Sequence, residues 1–202
     1  MPVFNELREA IFLPSLVCGP PDSLDLVIDN SIRGIRDRAL LLVAYDTLCR
    51  RSELVSLQVK DFKINIKNGI ETSSIFLRKS KTDQETTGKW LHLSQRAHLA
   101  LIEWMKELPK GQEYLIVGID RGGRISSSRL GSGQVNRIYK RNARNAGLNE
   151  SAIEWISGHS MRVGAAQDLL NSGASMPIIM QRGRWFKTET VMRYLEHGGC
   201  PA

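Results

Sequence analysis

From Asp37 the chain reads DRALLLVAYDTL, apolar on nearly every side, which predicts a buried helix rather than an amphipathic one. Helical spacing resumes through Leu54 and Leu57, leaving Arg50 at the junction. Residues 59–93 change period. VKDFKINIK alternates, Asn68-Gly69 is a strong hairpin turn, SSIFLR is rich in β-formers, and KWLHL follows a polar loop, so three strands are expected. Lys81 falls where the second strand runs out. Ser94 is the expected N-cap of a helix carrying Leu99, Leu101, Trp104 and Met105, ended by Pro109 and Gly111. YLIVGI, residues 114–119, is apolar but too short to assign. The second half of residues 121–147 reads as a helix ended by Gly147; further helices are expected over about His159–Asn171, near Pro177, and over about Thr188–Leu195. The pattern is α+β and mainly helical, with a small three-stranded antiparallel sheet. Residues 1–36, broken by Gly19, Pro20 and Pro21, read as an N-terminal extension or linker, and 37–202 as a single domain.

Composition narrows the classes modestly. The 42% hydrophobic and 24% charged content is ordinary for a globular protein and excludes wholesale disorder. The net charge of +7 favours a polyanionic partner. Much of it is local: Arg121, Arg124, Arg129, Arg137, Lys140, Arg141 and Arg144 fall within residues 121–147, with no acidic residue among them. The last four stand at three- and four-residue spacings, along one face of the expected helix, where they suit DNA backbone contacts. Cys18, Cys49 and Cys200 form an odd set without metal-ligand spacing, which points to a reducing compartment and hence to the cytoplasm. The longest apolar stretch, Ala39–Tyr45, is far too short to span a bilayer, so no membrane role is expected.

Breaking a phosphodiester without a metal requires a nucleophile, cations on the non-bridging oxygens, and an acid for the departing 5′-oxygen. Arginine suits the second task because its planar fork donates two hydrogen bonds and stays charged. Taken singly, each candidate has an ordinary reading: Arg50 a surface charge, His159 a capping histidine, Trp185 a core residue, Tyr194 a half-buried packing residue. Their joint order is what ordinary readings do not supply.

The strings TLCRRSEL (47–54) and HSMRVGAA (159–166), followed by QRGRW ending at Trp185 and VMRYL containing Tyr194, resemble the tyrosine recombinases of the phage integrase family. The resemblance covers about residues 37–195. It implies a recombinase catalytic domain that cleaves and rejoins DNA through a 3′-phosphotyrosine, with no metal and no cofactor. Residue by residue, it makes Arg50 and Arg162 the phosphate clamp and Tyr194 the nucleophile. Lys81 becomes the acid on the leaving oxygen, His159 an acid or base, Trp185 a phosphate donor and Glu53 an acidic support. Lys79, two positions before Lys81, competes for the acid's role. Double-stranded DNA is the implied partner, and the family's tetrameric assembly is doubtful with only eight residues after Tyr194. The first 36 residues are too few for the family's usual N-terminal core-binding domain. Two other classes remain open: a nick-and-reseal enzyme like the type IB topoisomerases, and a non-catalytic DNA-binding protein on the same fold.

Overall fold

The computed structural model describes residues 28–67, 70–80 and 87–196. The expected features of residues 1–27, the Asn68-Gly69 turn, Lys81, Cys18 and Cys200 lie outside the described residues. The first helix, α1 (Ile32–Thr47), starts earlier than Asp37, with the Ser31 hydroxyl accepting from the Gly34 N–H at 3.2 Å. Its first turns escape the apolar pattern because they are polar and yet buried. Asp37 accepts from Arg36 Nε at 2.6 Å, from Asn142 Nδ2 at 3.1 Å and from Arg141, so the charges are matched inside the fold. Leu48, left-handed at φ 49°, ends α1 and turns the chain into the four-residue helix α2 (Arg51–Leu54).

The expected three-stranded sheet forms from β1 (Phe62–Lys67), β2 (Ile70–Leu77) and β3 (Lys89–Leu93), antiparallel in that order. Phe62 stands opposite Ile75 and Ile75 opposite Leu91, so Ile75, Leu77, Leu91 and Leu93 bury one face. That face packs on α1 and on α3 (Gln95–Glu107), which Ser94 caps as expected. Trp104 of α3 is fully buried and donates its indole N–H to the Leu115 carbonyl at 2.7 Å.

Part of the apolar 114–119 segment becomes β4 (Val117–Ile119), paired antiparallel with β5 (Ile125–Arg129). α4 (Ser132–Asn145) follows and ends before Gly147 at φ 80°. A five-residue helix not expected from the sequence, α5 (Glu150–Glu154), capped by Asn149, precedes α6 (Ser160–Asn171), α7 (Met176–Gly183) and α8 (Thr188–Glu196). Two apolar clusters result. The larger joins α1, α3, α4 and the sheet, whereas Leu48, Ala165, Ala166, Ile179, Trp185 and Val191 form a smaller one under α6–α8. The α1–α2 corner bridges them, since Leu48 belongs to the smaller cluster and Cys49 to the larger.

Replacing Trp104 by Ala is expected to cost about 3–5 kcal/mol of folding stability in urea denaturation. A loss below about 1 kcal/mol would show that the ring does not organise the larger core.

Candidate active site

Arg50 is the N-cap of α2, and Glu53 three residues on reaches back to it, its Oε2 accepting the Arg50 backbone N–H at 2.9 Å. Glu53 is only 4% exposed. Its other oxygen, Oε1, accepts from an Arg50 terminal nitrogen (Nη1) at 2.7 Å and from the Ser80 hydroxyl at 2.7 Å, and Ser80 in turn accepts from that nitrogen at 3.1 Å. Both protons of that Arg50 nitrogen are thereby engaged. Its Nε and second terminal nitrogen (Nη2) meet no acceptor among the described residues, and the side chain stays 21% exposed. Arg50 is an anchored arginine with one open edge.

Arg162 lies in the first turn of α6. It donates to the Leu48 carbonyl at 3.1 Å and to the Gly183 carbonyl, and its guanidinium stands 4.4 Å from the Trp185 ring centroid. The stacking requires glycine at 183, where a Cβ would stand 1.8 Å from the Trp185 ring. Burial, then the nearby Arg50 and Arg184, push Arg162 down to about 10, and Glu53 offsets part of this. Arg162 is still a cation at neutral pH. His159 caps α6 on its exposed side; burial first, then Arg162, Arg51 and Arg50, hold its imidazole below the usual 6.5. The loop carrying it is pressed onto α2, where a Cβ on Gly158 would stand 2.8 Å from Arg51 Cδ.

Tyr194 lies in α8, one turn beyond Val191, which is buried in the same cluster as Trp185. Lys81 lies outside the described residues, but its chain neighbour Ser80 is fixed on Glu53. Lys79 is exposed. Sequence reading missed two members of the site, Ser80 and Arg184. Arg184 is buried and donates to Thr47 O at 2.9 Å, Leu48 O at 3.1 Å and Glu53 Oε2 at 3.0 Å. Its place between Gly183 and Trp185 was the available signal; its left-handed backbone was not visible.

The basic stretch is less uniform than its spacing suggests. Arg137 and Arg141 do line one cleft of about 330 Å³ with Arg33, Arg36 and Arg129. Lys140 and Arg144 turn the other way, Lys140 to the Glu154 carbonyl at 3.1 Å and Arg144 to Glu150 at 2.7 Å. Arg141 pairs with Asp37. The expectation of four cations on one free helix face is thus corrected, because acidic partners come from outside the segment. Arg121, Arg124, Arg129 and Arg137 are exposed and make no ion pair among the described residues.

This arrangement joins a mainly helical fold to a cluster of arginines drawn from three remote segments, each held by backbone carbonyls or one buried carboxylate. The chain belongs to the phage integrase family, which it matches over residues 21–198. It is similar to the recombinase Cre of Escherichia phage P1, 30% identical over 188 residues that cover 87% of this chain and 54% of the relative. An integrase/recombinase XerD homolog of Selenomonas ruminantium is 28% identical over 180 residues, 86% of this chain and 51% of the relative. The chain thus spans about half the length of these relatives. In fold it resembles the XerH site-specific recombinase bound to difH substrate in a pre-cleavage complex. There the TM-score is 0.65 at 18% identity, covering 95% of this chain and 48% of that one. No helix among the described residues is long and apolar enough to cross a membrane.

Gly183→Ala is expected to drive the Trp185 ring off Arg162 and to cost about 1–3 kcal/mol or more in urea denaturation. Unchanged stability together with unchanged near-ultraviolet circular dichroism would contradict the close approach.

Proposed function

We propose that this chain is the catalytic part of a site-specific DNA recombinase acting on duplex DNA. The observation that carries the reading is Arg50, anchored through one nitrogen on the buried Glu53 and open along its other edge, in the electrostatic range of Arg162. Such an edge matches two oxygens of a phosphate, and two fixed cations do for the developing charge what metal ions do in other phosphoryl-transfer enzymes. Tyr194 is the nucleophile in this reading. Its oxygen attacks the phosphorus, its proton passes to His159, and the bond to the 5′-oxygen breaks. The products are a 3′-phosphotyrosine and, once the acid has given up its proton, a 5′-hydroxyl. Resealing reverses the steps without a nucleotide cofactor.

Burial first, and then the surrounding arginines, keep the His159 imidazole neutral, the form that accepts a proton and later returns it. Lys81 is assigned as the acid: it follows Ser80 by one peptide bond, and Ser80 is fixed beside Arg50. Trp185 acts by holding the Arg162 plane, on which it stacks. Arg121, Arg124, Arg129 and Arg137 supply backbone contacts to DNA, with weaker contributions from Lys140, Arg141 and Arg144, whose charges are already partnered.

A nicked duplex that loses its 5′-fragment on cleavage tests the reading, because it traps the covalent intermediate. The chain is expected to give a denaturant-stable protein–DNA adduct and Tyr194→Phe none, while both bind the duplex equally. An adduct from Tyr194→Phe would remove Tyr194 as nucleophile; its absence from the parent chain would leave a DNA-binding protein. Exchange of strands between two duplexes separates a recombinase from an enzyme that only nicks and reseals.

Arg50→Lys keeps the charge but loses the fork, and adduct formation is expected to slow about a hundredfold or more. A rate near the parent's would mean that Arg50 contributes only general positive field. In binding titrations, Arg129→Ala and Arg137→Ala are each expected to reduce the dependence of log affinity on log salt by about 1. An unchanged slope would place the DNA on another face.

A further inference from the structure

Among the non-glycine residues described, only Leu48 and Arg184 have a positive φ. Leu48 makes the corner that presents Arg50. Arg184 ends α7 at φ 57° and ψ 47°, a conformation that costs an L side chain what glycine escapes. Nothing about reversing the chain there requires an arginine. Its guanidinium, however, is buried and divides itself among the Thr47 and Leu48 carbonyls and Glu53.

The division of Glu53 is the key. Oε1 serves Arg50 and Ser80, while Oε2 serves the Arg50 backbone N–H and Arg184. With Oε2 occupied, the Arg50 guanidinium touches the carboxylate through one nitrogen only. An Oε2 freed of Arg184 would let the Arg50 fork close on both oxygens, the geometry that arginine and carboxylate prefer, and turn its open edge inward. Arg184 also shares the Leu48 carbonyl with Arg162, so one side chain touches the supports of both clamp arginines.

We propose that Arg184 is a positioning residue for the reaction proposed above: it occupies one oxygen of Glu53, so that Glu53 fixes Arg50 without consuming the edge meant for phosphate. The inference rests on the recombinase reading. Burial alone would push the Glu53 carboxyl up; the Arg184 charge is the largest opposing influence, followed by hydrogen bonds from the Arg50 backbone, Ser80 and the Arg50 side chain, and the result lies below the usual carboxylate range. Among the described residues, the other groups facing Glu53 are Cys49, whose thiol burial pushes up and keeps neutral, and Arg162 of α6, which also acts on His159.

Arg184→Gly in the full chain tests this, because glycine suits the left-handed backbone and removes only the side chain. Adduct formation at pH 7 is expected to fall about tenfold or more. The acid limb of its pH profile should move to higher pH than in the parent, as Glu53 loses the cation that holds it ionised. Arg184→Lys should bring the limb back, and Glu53→Gln in the Arg184→Gly background should abolish it.

Stability gives a readout that needs no activity. In the parent, a carboxyl held low adds stability above its unfolded value near 4.5, and that stability is lost as pH falls through the lower folded value. In Arg184→Gly the carboxyl keeps its bonds from Arg50 and Ser80 but loses the largest influence opposing burial, so its folded value rises and the stability lost on acidification shrinks. A parent-like rate, or a rate loss with an unmoved acid limb and an unchanged stability slope, overturns the proposal. If the parent forms no adduct, the recombinase reading fails instead, and the stability slopes still decide whether Arg184 holds Glu53 ionised. Should Arg184→Gly not fold, Arg184→Gln keeps the packing without the charge and is read against the same outcomes.

Discussion

One buried carboxylate organises this protein's candidate active site. Glu53 takes bonds from Arg50, Ser80 and Arg184, and so ties the α1–α2 corner to the end of β2 and to the segment after α7. A lone charge in that position would be strongly destabilising, and so would any of its cations left unmatched. The three segments are therefore mutually dependent. The corner cannot present Arg50 unless the distant Arg184 arrives, and Arg184 cannot be buried unless the corner supplies Glu53 and two carbonyls.

The smaller apolar cluster makes that meeting possible. Leu48, Ala165, Ala166, Ile179, Trp185 and Val191 bring α6, α7 and α8 against the corner, and Tyr45 of α1 donates to Asp168 of α6 at 2.6 Å. Small residues at 165 and 166 let the helices approach, while Trp185 fills the cluster with the Arg162 guanidinium 4.4 Å over its ring centroid. The result is an excess of fixed positive charge: Arg50, Arg162 and Arg184 against Glu53. Burial first, and then their mutual repulsion, push Arg162 down to about 10, yet it is still charged at neutral pH. In the proposed function, an incoming phosphate relieves that excess, meeting the open edge of Arg50 directly.

Much of this was legible because the signals were local or ordered along the chain. The all-round apolar run of α1, the three strands of residues 62–93, the Ser94 cap and the helices around 160–195 all follow from period and punctuation. The order of motifs along the chain singled out Arg50, Arg162 and Trp185, which the fold brings near one another. What escaped depends on partners far away in sequence. The polar first turns of α1 are buried only because Asn142 and Arg141 meet Asp37, and β4 is too short to show a period before β5 pairs with it. The seven cations of residues 121–147 looked equivalent until Asp37 and Glu150 neutralised two of them. Arg184 was hidden most completely, since a left-handed arginine has no signature in one sequence.

The central claim is that Arg50 and Arg162 neutralise the phosphate under attack, and a charge swap on the DNA side examines it without disturbing the fold. A duplex whose scissile phosphate carries a methyl group in place of one non-bridging oxygen is electrically neutral at that position. Cleavage of this methylphosphonate by Arg50→Ala and Arg162→Ala is the measurement. Each variant should cleave it faster than the ordinary phosphate, because the charge its missing arginine would have met is gone. If both are as impaired on the neutral linkage as on the charged one, the arginines serve the structure of the site and not the charge of the phosphate.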